Sequence, residues 1–261
     1  MTAAPASCDG RIVEMWRYPV SSMAGERLAS ARVDATGMPG DRGWGVFNAA
    51  SGEIADPSKS KWCEAMPQAW SRIGDSGAIE VSTDNENWGD PTQAQCQQEL
   101  NELLGFDAVL RRYAAPDADG PQPSYKRSAI HLLTTAALRA LQSALPGSVL
   151  DARRFRPNLL VDFPENAAGI PEYGWIGKEI HIGGAVLRGV RPCGRCAFTT
   201  LQQHGLPHDM NVLRTLALRF ERHFGIYCEV LQSGEIVAGD AVSIVDSGSA
   251  ESIAPSAGLV S

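Results

Sequence analysis

The spacing of short apolar segments is the feature that most constrains the fold of this 261-residue chain. Runs rich in strand-forming residues, bounded by glycine, proline or polar turns, predict strands or hairpins at 11–20, 26–37, 40–53, 78–82, 108–113, 158–163, 178–192, 227–231 and 235–245. Helices do not alternate regularly with these strands, so a doubly wound parallel sheet is not expected. The sequence predicts an α+β protein that is β-dominated, with a mixed or barrel-like sheet.

Helical periodicity is confined to a few segments. The predicted helices are 91–106, 134–147 and 211–225. Thr92 with Gln95 has the spacing of a capping box for the first helix, and Thr134 or Thr135 is expected to cap the second. The third helix should place Phe224 on its apolar face.

Charge and composition exclude several classes of protein. The net charge of −7 and the sequence pI of about 5.3 argue against nucleic-acid binding, which usually requires a basic surface. No run is long and apolar enough to span a membrane, and the N-terminus has no signal-peptide pattern. We therefore expect a cytoplasmic protein that binds no membrane.

The stretch RPCGRCAFTTL at 191–201 carries a pair of cysteines, Cys193 and Cys196. With His204 and His208 they form the pattern C-x2-C-x7-H-x3-H, whose outer spacings fit a zinc site. The middle gap is shorter than the roughly 12 residues that a zinc finger usually has there. A structural zinc site outside the finger class remains an alternative.

The cysteine pair has four other interpretations. A thioredoxin-like pair needs a helix that starts at the first cysteine, whereas AFTTL favours a strand, and a disulfide is not expected in a reducing compartment. A single thiolate at Cys196, favoured by Arg195, suits a soft metal. Packing of both cysteines in the core is equally consistent with the sequence. Arginine is concentrated around the pair, which suits an anionic ligand; the arginines are Arg153, Arg154, Arg156, Arg188, Arg191 and Arg195.

Several motifs in the same order resemble a known family. RFRPNLLV at 154–161 and RPCGRCAFTTL are similar to the MOSC domain of molybdenum cofactor sulfurases, and GDAVSIV at 239–245 is similar to its closing strand. IVEMWRYPVSS at 12–22 and GDRGWGVF at 40–47 resemble the β-barrel domain that precedes MOSC. The layout is similar to that of the mitochondrial amidoxime reducing component and its bacterial relatives.

This resemblance implies a domain organisation. An N-terminal β-barrel-like domain is expected at 1–114 and a MOSC β-barrel with a few helices at 128–246. The Pro-, Asp- and Gly-rich segment 115–127 is expected to be a linker, and the small, polar segment 247–261 a disordered tail.

The resemblance also implies a cofactor and its ligands. The family binds the molybdenum cofactor, a molybdenum pyranopterin with a terminal phosphate, and the cysteine of its Arg-Cys step, here Cys196, ligates molybdenum. The residues at matching cofactor-binding positions are Ser22, Arg42, Thr134, Arg156, Asn158, Gly194 and Arg195. Thr134 lies at a predicted helix start, where free N–H groups bind phosphate. Family members commonly carry lysine where this chain has Ser21, which removes one cationic contact.

The activity that the resemblance implies is reduction of small N-hydroxylated molecules by a molybdenum-dependent oxidoreductase. The sequence contains neither a segment similar to the pyridoxal-phosphate desulfurase domain of full sulfurases nor a ferredoxin-like cysteine cluster. Electrons are therefore expected from a separate protein, such as a flavin reductase with a heme or iron–sulfur carrier. The alternatives are a carrier of the cofactor or of persulfide sulfur on Cys196, and a structural zinc protein.

Overall fold

The computed structural model describes residues 9–115, 118–125, 128–164 and 169–246. Within these residues the strands are β1 (Gly10–Arg17), β2 (Glu26–Leu28), β3 (Ser30–Val33), β4 (Trp44–Asn48), β5 (Trp70–Ile73), β6 (Ile79–Ser82), β7 (Ala108–Arg112), β8 (Ile130–Thr134), β9 (Leu159–Asp162), β10 (Glu179–Ile182), β11 (Ala185–Gly194), β12 (His223–Gln232), β13 (Gly234–Val237) and β14 (Ala241–Val245). The α-helices are α1 (Ala94–Leu104), α2 (Thr135–Ala144) and α3 (Met210–Arg219). Short 3-10 helices lie at Lys61–Cys63, Met66–Gln68, Ala152–Phe155, Pro171–Trp175 and Ala197–Thr200. No described helix has both the length and the apolar character needed to cross a membrane.

A closed β-barrel forms the centre of the molecule. Its strands follow the order β14, β10, β11, β12, β8, β9 and β1, and pairing of β14 with β1 closes the ring. Among these neighbours only β8 and β9 run parallel. The interior is a continuous apolar core, which includes Ile12, Met15, Leu132, Val161, Leu187, Ile226 and Val242. The predicted β-dominated α+β fold with a barrel is confirmed.

The N-terminal part of the chain has its own smaller core. Two-stranded sheets, β4 with β7 and β5 with β6, surround this core together with α1. Leu100 and Leu104 are the buried residues of α1. The first strand is different, because β1 pairs with β9 and β14 and belongs to the central barrel. The chain therefore begins in the barrel, leaves it to form the N-terminal part, and returns at β8.

The helix predictions hold for α2 and fail at two details elsewhere. Thr134 caps α2 as expected, by accepting a hydrogen bond from the backbone N–H of Ala137. The predicted capping box of α1 is wrong, because Thr92 instead bonds to the side chain of Asp90. The prediction that Phe224 lies on a helix is also wrong. Helix α3 ends at Arg219, and Phe224 is a buried residue of β12, where pairing with β11 and β8 overrides the local helical pattern.

Candidate functional site

A single cavity of about 350 Å³ gathers most of the residues that the sequence singled out. We call it the central cavity. The sequence-predicted residues that line it are Ser22, Arg42, Arg156, Asn158, Gly194, Arg195 and Cys196. They come from segments that are far apart in the sequence, and the closing of the barrel brings them together.

Three of these residues have an uncommon backbone conformation. Ser22, Arg42 and Arg156 have φ values of 66°, 48° and 53°, in the left-handed region that non-glycine residues rarely adopt. Each such residue costs about 1–2 kcal/mol relative to a right-handed conformation. Strained residues of this kind persist where the surrounding structure holds them, and they concentrate at functional sites.

The Arg156 guanidinium is buried between aromatic rings. Its Cζ lies 4.1 Å from the ring centroid of Tyr18 and 5.3 Å from that of Phe198, and its Nη1 donates to the Met23 carbonyl. Burial, followed by the positive charge of Arg42, lowers the pKa of Arg156 to about 10, so the side chain stays charged at neutral pH. Among the described residues no carboxylate lies within salt-bridge distance of it, and its Nη2 has no hydrogen-bond partner.

Arg42 is held by hydrogen bonds on several sides. Its Nη1 pairs with the Asp41 carboxylate and lies 3.3 Å from Asn158 Oδ1, and its Nη2 donates to the Arg156 carbonyl at 2.8 Å. Burial by itself would lower the pKa of Arg42, but the Asp41 carboxylate, Tyr125 and Tyr18 together outweigh burial and raise it. Asn158 also accepts from the His131 backbone N–H and donates to the Trp16 carbonyl. The Asn158 side chain therefore fixes Arg42 and keeps little capacity for a ligand.

Cys196 is an exposed cysteine on the wall of the central cavity. It follows β11 and immediately precedes the 3-10 helix Ala197–Thr200, a segment where the sequence favoured a strand. The hydroxyl of Thr199 donates to the Cys196 carbonyl at 3.0 Å, and that of Thr200 donates to the Ala197 carbonyl at 2.8 Å. These bonds stabilise the short helical turn despite the β-forming side chains.

Cys193 lies in a different environment from Cys196. Its side chain is fully buried, and Arg195 Nη1 donates to its Sγ at 2.9 Å. Burial by itself raises the pKa of this thiol, but the positive charges of His131 and Arg195 outweigh burial and lower the pKa to about 5. The second terminal nitrogen of Arg195 donates to the Phe155 carbonyl at 2.8 Å.

The structure does not place Thr134 on the central cavity. Its side chain is buried and donates to Glu172 Oε2 at 2.7 Å, while its backbone N–H lies 3.4 Å from Glu172 Oε1. The carboxyl group of Glu172 therefore lies at the N-terminus of α2.

Residues that the sequence reasoning missed also line the central cavity. They are Asp56, Ser58, Lys59, Ser124, Tyr125, Ser128, His131, Phe155, Phe198 and Tyr227. Only His131 gave a signal in the sequence, as a titratable residue within the otherwise apolar or small segment SAIHLL. The others lie on loops, on short 3-10 helices or, for Tyr227, on β12, and no local pattern predicts that they meet at one cavity.

The zinc alternative is not supported by the geometry. Across the part of the chain that the structure describes, no group of three or more histidine, cysteine or acidic side chains is placed to hold a metal ion. The thiols of Cys193 and Cys196 lie in different environments, one buried and one exposed. His204 packs edge-on against Trp70, with 6.1 Å between ring centroids.

The fold and the cavity define a β-barrel protein with a cationic cavity that carries a cysteine. Two family models match the chain, the MOSC domain over residues 116–243 and the MOSC N-terminal beta barrel domain over residues 9–85. The chain therefore belongs to the MOSC domain proteins that carry this N-terminal domain. The MOSC domain family is known for molybdenum cofactor binding.

Solved structures with similarity to this chain include bacterial proteins. YuaD from Bacillus subtilis is 12% identical with a TM-score of 0.49, and the match covers 90% of this chain and 94% of that chain. YiiM from Geobacillus stearothermophilus is 19% identical with a TM-score of 0.35, over 47% of this chain and 57% of that chain. YiiM from Escherichia coli is 16% identical with a TM-score of 0.33, over 46% and 55%. Among curated proteins, no sequence matches this chain.

Proposed function

We propose that this protein binds the molybdenum cofactor in the central cavity and reduces N-hydroxylated small molecules with it. The observation that carries this proposal is the convergence of Cys196 with Arg42, Arg156 and Arg195 on one cavity. A soft thiolate suits a molybdenum centre, and guanidinium groups suit an anionic phosphate.

The unsatisfied polar atoms around the cavity fit an anionic ligand. Nη2 of Arg156 and Nε of Arg195 are buried and have no hydrogen-bond partner among the described residues. A buried donor without a partner costs about 1–3 kcal/mol. A bound phosphate or pterin would supply acceptors and negative charge beside these guanidinium groups.

The protein's own residues would divide the work of holding the cofactor. Cys196 would provide the thiolate that ligates molybdenum, and Arg42, Arg156 and Arg195 would bind the phosphate and the pterin. When bound, the cofactor supplies two-electron chemistry that removes oxygen from an N-hydroxylated substrate. Asn158 would act through Arg42, whose Nη1 lies 3.3 Å from its side-chain oxygen.

Another lysine of this chain lies near the position where the family commonly carries a lysine and this chain has Ser21. Ser21 is buried, and its hydroxyl lies 2.8 Å from the Tyr125 hydroxyl. Lys59 lines the central cavity, with its ammonium 3.2 Å from Asp56 and 3.3 Å from the Ser124 carbonyl. We propose that Lys59 supplies the cationic contact that Ser21 lacks.

The electrons would come from a separate protein, such as a flavin reductase with a heme or iron–sulfur carrier. Small substrates would reach the metal on the open side of the cavity, where Cys196 is exposed.

Metal content tests the proposal most directly. We expect near-stoichiometric molybdenum in protein purified from a host that makes the cofactor, and only a small residual fraction in Cys196→Ala. Cys96→Ala is the matched control, because Cys96 is a partly buried cysteine of α1 outside the central cavity and should keep its molybdenum. Equal molybdenum in wild type and Cys196→Ala would contradict the assignment of the ligand.

Activity tests the second half of the proposal. The molybdenum-loaded protein should reduce an amidoxime to the amidine with a chemical reductant, and Cys196→Ala should not. Loaded protein that reduces no N-hydroxylated compound would refute the reductase function and leave the cofactor binding intact.

The exposure of Cys196 also favours a second function, in which its thiol carries a persulfide. In this case sulfur would be released from Cys196 by cyanide as thiocyanate, in a stoichiometric amount and without molybdenum. Release of no thiocyanate from freshly isolated protein would exclude the carrier function.

A further inference from the structure

A buried group of polar residues lies against the central cavity, and among its members the proposed binding of the cofactor uses only Arg195. It consists of Cys193 on β11, His131 on β8 and Tyr227 on β12, together with the Arg195 side chain. His131 is 3% exposed and Cys193 is 0% exposed. Polar groups buried to this extent require partners for each donor and for each charge.

The hydrogen bonds of His131 indicate its protonation state. Its Nδ1 lies 3.2 Å from the Arg156 carbonyl oxygen and its Nε2 lies 3.3 Å from the Phe224 carbonyl oxygen. A neutral imidazole has a single N–H, so one ring nitrogen would direct a lone pair at a carbonyl oxygen. Only the imidazolium donates to both carbonyls.

The charge of Arg195 requires an anion. Its Nη1 donates to Cys193 Sγ at 2.9 Å, and among the described residues no carboxylate lies within salt-bridge distance of its guanidinium. Tyr227 and His131 lie beside the same sulfur, and both favour its thiolate form. A neutral thiol is a weak acceptor, whereas a thiolate satisfies these donors and balances one positive charge.

We propose that Cys193 and His131 form a thiolate–imidazolium ion pair beside the central cavity, and that this pair positions the Arg195 guanidinium. The proton that leaves Sγ resides on the imidazole, so formation of the pair leaves the net charge unchanged. Cys193 is a positioning residue, since it acts through Arg195 and has no exposed surface. The use of the positioned Arg195 in cofactor binding rests on the proposed function. The ion pair itself does not.

Other titratable groups lie close to this pair. Besides Arg195, they include Tyr227 of β12 and Tyr173 of the 3-10 helix Pro171–Trp175. Burial, followed by the charge of Cys193, raises the pKa of Tyr227 to about 12, so this phenol remains a donor at neutral pH. The cationic side chain of Arg191 stacks on the Tyr227 ring, with its Cζ 4.4 Å from the ring centroid.

The ultraviolet absorbance of the thiolate tests the ion pair in the full chain without any cofactor. We expect wild-type protein at pH 7 to show a thiolate band that is absent in Cys193→Ser and that titrates away near pH 5. Cys228→Ser is the matched control, because Cys228 is a buried cysteine of the next strand, and its burial raises the pKa of its thiol. Identical absorbance of wild type and Cys193→Ser at pH 7 would overturn the proposal.

Nuclear magnetic resonance gives the second readout, which a purely packing role of Cys193 would leave unchanged. In wild type at pH 7 both ring nitrogens of His131 should carry protons, and the Arg195 guanidinium should show restricted rotation. Cys193→Ser should lose both signatures, and Cys228→Ser should keep them. A singly protonated His131 in wild type would refute the ion pair even if Cys193→Ser fails to fold. Freely rotating Arg195 in wild type would refute the positioning role. Neither measurement requires bound molybdenum. A negative result would therefore refute the ion pair without bearing on the proposed function.

Discussion

At the scale of single residues, the central cavity combines strain with unpaired charge. Ser22 and Arg42 lie at positive φ, and Arg156 adds a buried guanidinium without a carboxylate partner among the described residues. Features of this kind reduce stability unless a ligand compensates for them. The cavity therefore has features that cost stability and that a bound ligand would offset, as expected of a binding site.

Ser22 offers a test of this cost. We expect Ser22→Gly to raise the free energy of unfolding by roughly 0.5–1 kcal/mol, because glycine adopts a φ of 66° without steric strain. The same change should lower molybdenum retention if the hydroxyl binds the cofactor. Urea denaturation measures the first effect, with Ser51→Gly as control, a turn serine outside the positive-φ group. A loss of stability in Ser22→Gly equal to that in the control would contradict the strain argument.

At the scale of elements, the turns decide how the N-terminal part joins the barrel. Gly37 lies in the turn after β3, with a φ of 109°. A Cβ at this position would lie 2.1 Å from the Ala129 carbonyl oxygen, directly before β8. Only glycine allows the turn to approach the barrel strand this closely.

Substitution of Gly37 should therefore destabilise the protein more than substitution of a glycine that has a positive φ but no close contact. We expect Gly37→Ala to lower the free energy of unfolding by more than about 2 kcal/mol, because both the clash and the positive φ are unfavourable. Gly52→Ala is the matched control, with a φ of 73° but nothing within 4 Å of the added Cβ, and it should cost only about 1 kcal/mol. Equal losses in the two variants, measured by denaturation, would show that the contact with Ala129 is unimportant.

At the scale of the whole molecule, a buried carboxyl group joins the 3-10 helix Pro171–Trp175 to the junction of β8 and α2. Glu172 is 0% exposed, and its carboxyl group binds the side chain and the backbone N–H of Thr134. Burial raises the pKa of Glu172 from 4.5 to about 7, and the hydrogen bonds from Thr134 offset only part of this effect. The native state thus binds a proton more tightly than the unfolded state does.

Because protonation of Glu172 is coupled to folding, the free energy of unfolding should depend on pH in a defined direction. The stability that the protonated Glu172 provides is complete below about pH 4.5 and is lost as pH rises through about 7. We expect Glu172→Gln, which stays neutral, to be more stable than wild type at pH 8 by about 2–3 kcal/mol, with little difference at pH 4.5. Urea denaturation across this range checks the prediction, with the exposed Glu102→Gln on α1 as control. A difference that does not vary with pH would contradict the assignment.

The sequence by itself determined the class of fold and the ends of several elements. It also identified Cys196 and the nearby arginines as candidate site residues. Alternation of apolar and polar residues indicates a strand whatever its partner strand is. A helix cap such as Thr134 acts within a few residues, so it too can be predicted from the local sequence. Ser22, Arg42 and Cys196 were identified through motifs, and the structure brings them to the same cavity.

Only the tertiary structure decided which side chains meet. It assigned Phe224 to a strand, because sheet pairing outweighs a local helical pattern, and it gave Thr134 a carboxyl partner instead of a place on the cavity. It also distinguished Cys193 from Cys196, three residues apart, by burying one thiol against His131 and exposing the other. Burial and charge at a site depend on residues distant in sequence, and for this reason the buried ion pair had no signature in the sequence.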